Sequence, residues 1–65
     1  MNAYLILPNN ERVQLPCTAD GMPIVPRVGD TVVTGPGNPF KVTDVQWHFI
    51  GRVDDHFVYV FVVAL

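Results

Sequence analysis

One stretch of the chain carries the strongest structural signal: Pro26-Arg27-Val28-Gly29-Asp30-Thr31-Val32-Val33. The proline restricts the backbone where the stretch begins, and Gly29 can adopt a positive φ that other residues avoid. Asp30 can accept a backbone hydrogen bond as the next segment becomes extended. The stretch therefore predicts a tight turn that leads directly into a β-strand.

A longer strand is predicted downstream, over residues 40–49. Its alternation of apolar side chains slips by one position in the middle, which predicts a β-bulge near Thr43-Asp44. Trp47 is the largest residue in phase after the slip, so we expect its indole to be mostly buried. His48 has the opposite phase and should point away from the core, as a surface residue unless a partner covers it.

The N-terminal part of the chain predicts a hairpin followed by a loop. Residues 4–7 and 12–15 have strand character, and the Pro8-Asn9-Asn10 segment between them suits a turn because asparagine tolerates positive φ. Residues 16–26 hold three prolines and an Asp-Gly pair, which predicts an ordered loop. Proline and glycine leave segments too short for ordinary helices.

The last predicted strand, His56 to Leu65, is apolar on both faces. Larger side chains at 57, 59, 61, 63 and 65 alternate with smaller ones at 58, 60, 62 and 64. A strand of this kind is usually covered on both sides, but a small barrel has only one interior. The second row therefore predicts an interface, and the edge of this strand could pair with a second copy.

The P-x-x-G-D-x-V pattern over residues 26–32 resembles the beginning of a central strand in many small SH3-like barrels of bacterial and phage proteins. The resemblance extends over residues 26–50. It implies a fold and no particular activity, because one barrel serves unrelated functions. Together with the strand pattern, it leads us to expect one all-β domain over residues 1–65, a five-stranded antiparallel SH3-like barrel.

Candidate catalytic and metal-binding residues are few and scattered. Cys17, His48 and His56 stand far apart, without the spacing of a zinc site or the partners of a nucleophile. We expect Cys17 to be an inert half-buried thiol and His56, beside Asp54 and Asp55, to be a solvated turn residue. The sequence therefore predicts no enzyme activity, no catalytic residue, no cofactor and no metal.

Composition predicts the cellular setting. The segment Met1–Tyr4 has no basic residue and its apolar run stops at Pro8, so we expect no secretory signal. The longest apolar run, Phe57 to Leu65, has about half the length of a membrane-spanning helix. One cysteine fits a reducing compartment, so we expect a cytoplasmic protein without a membrane partner.

The function predicted from these patterns is that of a non-enzymatic protein-interaction or assembly module. We expect a homo-oligomer, dimer or higher, formed through the C-terminal strand, with a further protein partner possible. The candidate interface residues are Tyr59, Val60, Phe61, Val62, Trp47 and Phe49.

Two alternatives stay open. A small-barrel nucleic-acid binder could stack bases on Trp47, Phe49 or Tyr59, but a net charge of −2 with four cations makes nucleic acid a poor partner. The other alternative is an accessory protein of a phage or mobile element that inhibits a host complex. Nothing in the residues separates it from a general interaction module.

Overall fold

The computed structural model describes residues 1–35, 37–52 and 55–65, and it confirms an all-β chain. Five strands account for the regular structure of these residues. They are β1 (Asn2–Ile6), β2 (Arg12–Gln14), β3 (Thr31–Thr34), β4 (Asn38–His48) and β5 (Phe57–Ala64).

The strands form one curled sheet, a half-barrel, in the order β2-β1-β5-β4-β3. Residues of both edge strands, β2 and β3, line one groove, which shows how far the sheet curls. The expectation of a strictly antiparallel barrel is wrong, because β1 and β5 pair in parallel. The C-terminal strand runs antiparallel to β4 and enters the sheet beside β1, whose direction it shares.

The central place of β5 corrects a second expectation. We predicted that the edge of the C-terminal strand could pair with another copy. In the structure β5 is hydrogen-bonded to β1 on one side and to β4 on the other. Its backbone is therefore occupied within the chain, and any interface of β5 has to use side chains.

The N-terminal hairpin is confirmed, with β1 and β2 antiparallel and Leu5 opposite Val13. The turn between them uses asparagine as predicted. Asn10 has a φ of 67°, and its N–H donates to the Leu7 carbonyl at 2.8 Å. The Asn9 side chain accepts from the Glu11 N–H at 3.0 Å.

The turn before β3 has the predicted chemistry. Gly29 has a φ of 96°, and the N–H of Asp30 donates to the Arg27 carbonyl at 3.0 Å. A positive φ at the third position is that of a type II turn, which favours glycine. The Asp30 carboxylate accepts from the Arg27 N–H at 2.8 Å, so the aspartate closes the turn from the other side.

The bulge in β4 lies where the sequence predicts it. Register against β5 shifts between Val42, opposite Val62, and Asp44, opposite Phe61. The extra residue is Thr43, whose hydroxyl donates to the Phe61 carbonyl at 3.3 Å. A bulge bends its strand, and this bend helps the sheet to curl.

The core lies on the concave face of the sheet and consists of small apolar side chains. The buried residues of the described chain are Ala3, Leu5, Val42, Val58, Val60 and Val62. The smaller row of β5 therefore faces inward, and its larger, aromatic row faces outward. Leu15, Val25 and Val32 pack against this cluster from β3 and from the loop after β2.

The loop between β2 and β3 is ordered by hydrogen bonds of its own. Cys17 and Pro23 form an isolated bridge, and the Thr18 N–H donates to the Met22 carbonyl at 2.7 Å. Cys17 is exposed, so the expectation of a half-buried thiol is wrong.

Candidate interaction surfaces

Trp47 faces the core side of the sheet but is not buried. It lies opposite the fully buried Val58 on the neighbouring strand, so both side chains point to the concave face. Its side chain is nevertheless 49% exposed, and the expectation of a buried indole is wrong. The phase of the strand was predicted correctly, but the core does not extend to this end of β4.

Three apolar residues form what we call the end patch: Val28, Trp47 and Phe49. The rings of Trp47 and Phe49 are stacked, 6.3 Å apart at an angle of 11°. Val28 and Phe49 are 62% and 67% exposed. Trp47 and Val28 line one cavity of about 500 Å³ together with Pro23, Val25, Pro26, Arg27 and Val45.

The outward row of β5 is aromatic and covers itself. Phe57, Tyr59 and Phe61 are each half-buried, because neighbouring rings pack against one another. Tyr4 of β1 meets Tyr59 edge to face, with ring centroids 6.1 Å apart. Self-packing leaves these three rings half-buried, whereas Val63 and Leu65 of the same row are 46% and 68% exposed.

His48 belongs to this aromatic layer. Its ring stacks on Phe57 with centroids 4.5 Å apart and also contacts Tyr59. It points away from the valine core, as expected, but it is half-buried and its Nε2 is enclosed, so the expectation of a surface histidine is wrong. The covering groups come from β5 of the same chain.

The six candidate interface residues thus divide among three places. Val60 and Val62 are core residues, and Tyr59 and Phe61 belong to the outward aromatic row. Trp47 and Phe49 lie in the end patch. Val28 completes that patch and was missed, because a residue inside a predicted turn gives no periodic signal of its own.

A smaller surface was also missed from the sequence. The Arg12 guanidinium lies 4.7 Å from the centre of the Tyr4 ring and donates to the Tyr59 hydroxyl at 3.4 Å. These side chains line a cavity of about 300 Å³ with Asn2, Asp55, His56 and Phe57. His56 is half-buried there, contrary to the expectation of a solvated turn residue, while Asp54 lies outside the described residues.

Over residues 1–35, 37–52 and 55–65, no three side chains of His, Cys, Asp or Glu come close enough together to hold a metal ion. Within the same ranges, no helix has the length and apolar character required to cross a bilayer.

Comparison with known proteins adds no relative to this description. No protein-family model, no curated protein and no solved structure matches the chain.

Proposed function

We propose that this domain is a non-enzymatic assembly module that binds a second copy of itself through the end patch. The observation that carries the proposal is the position of Trp47. A tryptophan on the concave face, in register with a fully buried valine, is half exposed. Tryptophan in this position is typical of an interface, where it often supplies a large share of the binding energy.

The area of the end patch fits a second copy of this size. Aromatic side chains bury 150–250 Å² each, so Trp47 and Phe49 leave roughly 100 Å² apiece in solvent, and Val28 adds slightly less. The patch therefore offers about 300 Å² of apolar surface, most of the non-polar area on one side of a standard interface of about 800 Å² per partner. A polar rim supplies the remainder.

The need for cover also favours self-association. A chain of 65 residues buries only about 60% of the surface it exposes when unfolded, so its core contributes little stability. Among the described residues, the buried core consists of one alanine, one leucine and four valines. Burial of the end patch against a second copy would add apolar area where the fold itself supplies little.

Charge favours a protein occupant over a nucleic acid. Arg27 is the cation that lines the cavity beside Trp47, and the chain as a whole has a net charge of −2. Nucleic-acid affinity depends mainly on neutralising phosphates, so stacked aromatic rings beside one cation would bind strands weakly.

We also propose that the half-barrel is a variant of the SH3-like barrel. The turn at residues 27–30, the bulge in β4 and the five strands support this assignment, and the parallel pair β1–β5 is its main departure. An exposed thiol at Cys17 favours a reducing compartment, so we place the module in the cytoplasm. An accessory role in a phage or mobile element belongs to the same proposal.

The proposal is tested by light scattering coupled to size exclusion at micromolar concentration. Trp47→Lys should lower the mass of the assembly, because an ammonium group cannot be buried in the end patch without a partner. Leu65→Lys is the control: Leu65 is similarly exposed but lies at the chain end, so the mass should stay unchanged. Far-UV circular dichroism shows whether each variant is folded.

Fluorescence gives an independent measurement, because Trp47 is the only tryptophan in the chain. Emission should shift to the blue as concentration rises and the indole becomes covered, and iodide quenching should fall. An emission spectrum that does not change with concentration would contradict the proposal. Quenching by a single-stranded oligonucleotide at physiological salt would assign the patch to nucleic acid instead.

A further inference from the structure

Hydrogen bonds of β4 determine which backbone groups of the edge strand β3 point out of the sheet. The Val42 N–H donates to the Asp30 carbonyl at 2.9 Å, so this residue of β4 points toward β3. The Leu65 N–H donates to the Pro39 carbonyl at 3.3 Å, so Pro39 points the other way, toward β5. Backbone groups alternate along a strand, which assigns every residue between them.

The pairing of β3 with β4 then shows which residues of β3 direct their backbone groups out of the sheet. Val32 lies opposite Phe40, a residue that points toward β3, so Val32 is hydrogen-bonded within the sheet. Thr31 and Val33, the residues on either side, direct their N–H and C=O groups away from β4. These four groups form an edge that another strand can pair with.

β3 lacks the features that normally protect such an edge. It reads Thr-Val-Val-Thr, with no charge, proline or bulge, and Val33 is 64% exposed. β2 is different, because it has only three residues and one of them is Arg12. Charge and short length are usual protections of an edge strand.

We propose that β3 pairs antiparallel with β3 of a second copy across a two-fold axis centred on Val32. In this register Thr31 of one copy lies opposite Val33 of the other, and the four outward backbone groups of each copy are satisfied. Val32 faces Val32 of the second copy on the concave side. A two-fold axis requires an interface that complements itself, and this register provides one.

The groove beside β3 gives the paired strand a second place to bury apolar surface. Its volume is about 630 Å³, and its lining is mainly apolar. The lining side chains include Val13, Leu15, Ile24, Val25, Val32 and Val33. Val13 faces the concave side opposite the buried Leu5 but is 41% exposed. A strand added at β3 extends the sheet over this groove.

Pairing through β3 does not depend on the end patch. The size of the assembly depends on both interfaces, so it also rests on the proposed function. A protomer with two different two-fold interfaces does not stop at a dimer. Copies joined alternately through the end patch and through β3 form a larger assembly, either an open row or a ring with an even number of copies.

The discriminating variant is Val33→Pro, with Val33→Thr as its control. The Val33 N–H points away from β4, so proline removes an outward donor without breaking a hydrogen bond inside the sheet. Threonine keeps the donor and the β-branched shape. Val33→Lys serves as a second disrupting variant should proline lower the melting temperature.

Masses from light scattering separate the two interfaces. We expect an assembly larger than a dimer for the wild type and for Val33→Thr, a dimer for Val33→Pro and for Trp47→Lys, and a monomer for the double variant. Equal masses for folded Val33→Pro or Val33→Lys and for Val33→Thr would overturn the edge pairing. An unchanged mass for Trp47→Lys would overturn the end patch alone.

Amide hydrogen exchange provides a readout at the proposed bonds. The N–H groups of Thr31 and Val33 should exchange slowly in the concentrated protein and at least tenfold faster after dilution to monomer. The Val32 N–H, bonded within the sheet, should stay protected in both states. Fast exchange of Thr31 and Val33 at every concentration would contradict the pairing.

Discussion

Val42 and Trp47 lie on the same strand and face the same side of the sheet, yet one is buried and the other is half exposed. Each is opposite a valine of β5, Val62 for Val42 and Val58 for Trp47. Strand phase therefore does not explain the difference. What differs is the chain that lies across the concave face at each end of β4.

Leu15, Val25 and Val32 pack against the core cluster to which Val42 belongs. The turn before β3 is bonded to the edge of β4 beside Val42: the Gly29 N–H donates to the Val42 carbonyl at 2.9 Å, and the Val42 N–H donates to the Asp30 carbonyl at the same distance. At the other end Trp47 borders a cavity that residues of the same turn also line, and its side chain stays half exposed. Burial here depends on cover as much as on orientation.

The largest expected effect comes from a charge placed in the buried core. Val60→Asp should unfold the domain, because a carboxylate without a partner in an apolar core costs more than about 4 kcal/mol. Phe61→Asp, one residue later on the outward row, should leave the protein folded with a loss of roughly 1–2 kcal/mol. Far-UV circular dichroism and urea denaturation distinguish them, and equal losses would mean that the two rows are not divided as described.

A direct test of the comparison truncates its two members. Val42→Ala should cost about 2 kcal/mol through lost burial and the cavity left behind. Trp47→Ala, measured where the protein is monomeric, should cost about 1 kcal/mol although it removes a much larger side chain. A fully buried tryptophan would cost 3–5 kcal/mol. A larger loss for Trp47 than for Val42 in urea denaturation would show that the cover extends to both ends.

The turn beside Val42 can be strained without a clash. Apart from its two chain neighbours, no residue comes within 4 Å of the position that a Cβ would take at Gly29, so the cost of Gly29→Val is expected from its φ of 96°. We expect a loss of about 1–2 kcal/mol in thermal or urea unfolding. Gly35→Ala is the control, since it also has open space and no positive φ, and it should change stability by less than about 0.5 kcal/mol.

The smallest effect should come from the side chain that closes the same turn. Asp30→Ala removes the 2.8 Å bond from the Arg27 N–H and should cost about 1 kcal/mol. Asp30→Asn keeps an acceptor oxygen and should cost less. Asp20→Ala, at an exposed position in the preceding loop, should have no measurable effect on the urea midpoint. If Asp20 and Asp30 behaved alike, the closing bond would contribute nothing to stability.

Much of the local structure was predictable because local chemistry controls it. Asn10 and Gly29 adopt positive φ as their residue types allow, and the bulge follows from one slip in apolar phase. The candidate surfaces were harder to predict. Trp47 and Phe49 were named as candidates, but Val28 lies next to them only in the folded chain. Val60 and Val62 were named as interface candidates too, and the structure places them in the core.

The amino-acid sequence by itself determined the strands, the turns between them and the alternation of side chains along each strand. These depend on neighbouring residues, through backbone preferences and a period of two. Only the tertiary structure decided that β5 lies in the centre and runs parallel to β1, which row of β5 is buried, and that the core ends before Trp47. Those outcomes depend on which distant segments lie side by side. The residues of one strand do not show which segments will cover them.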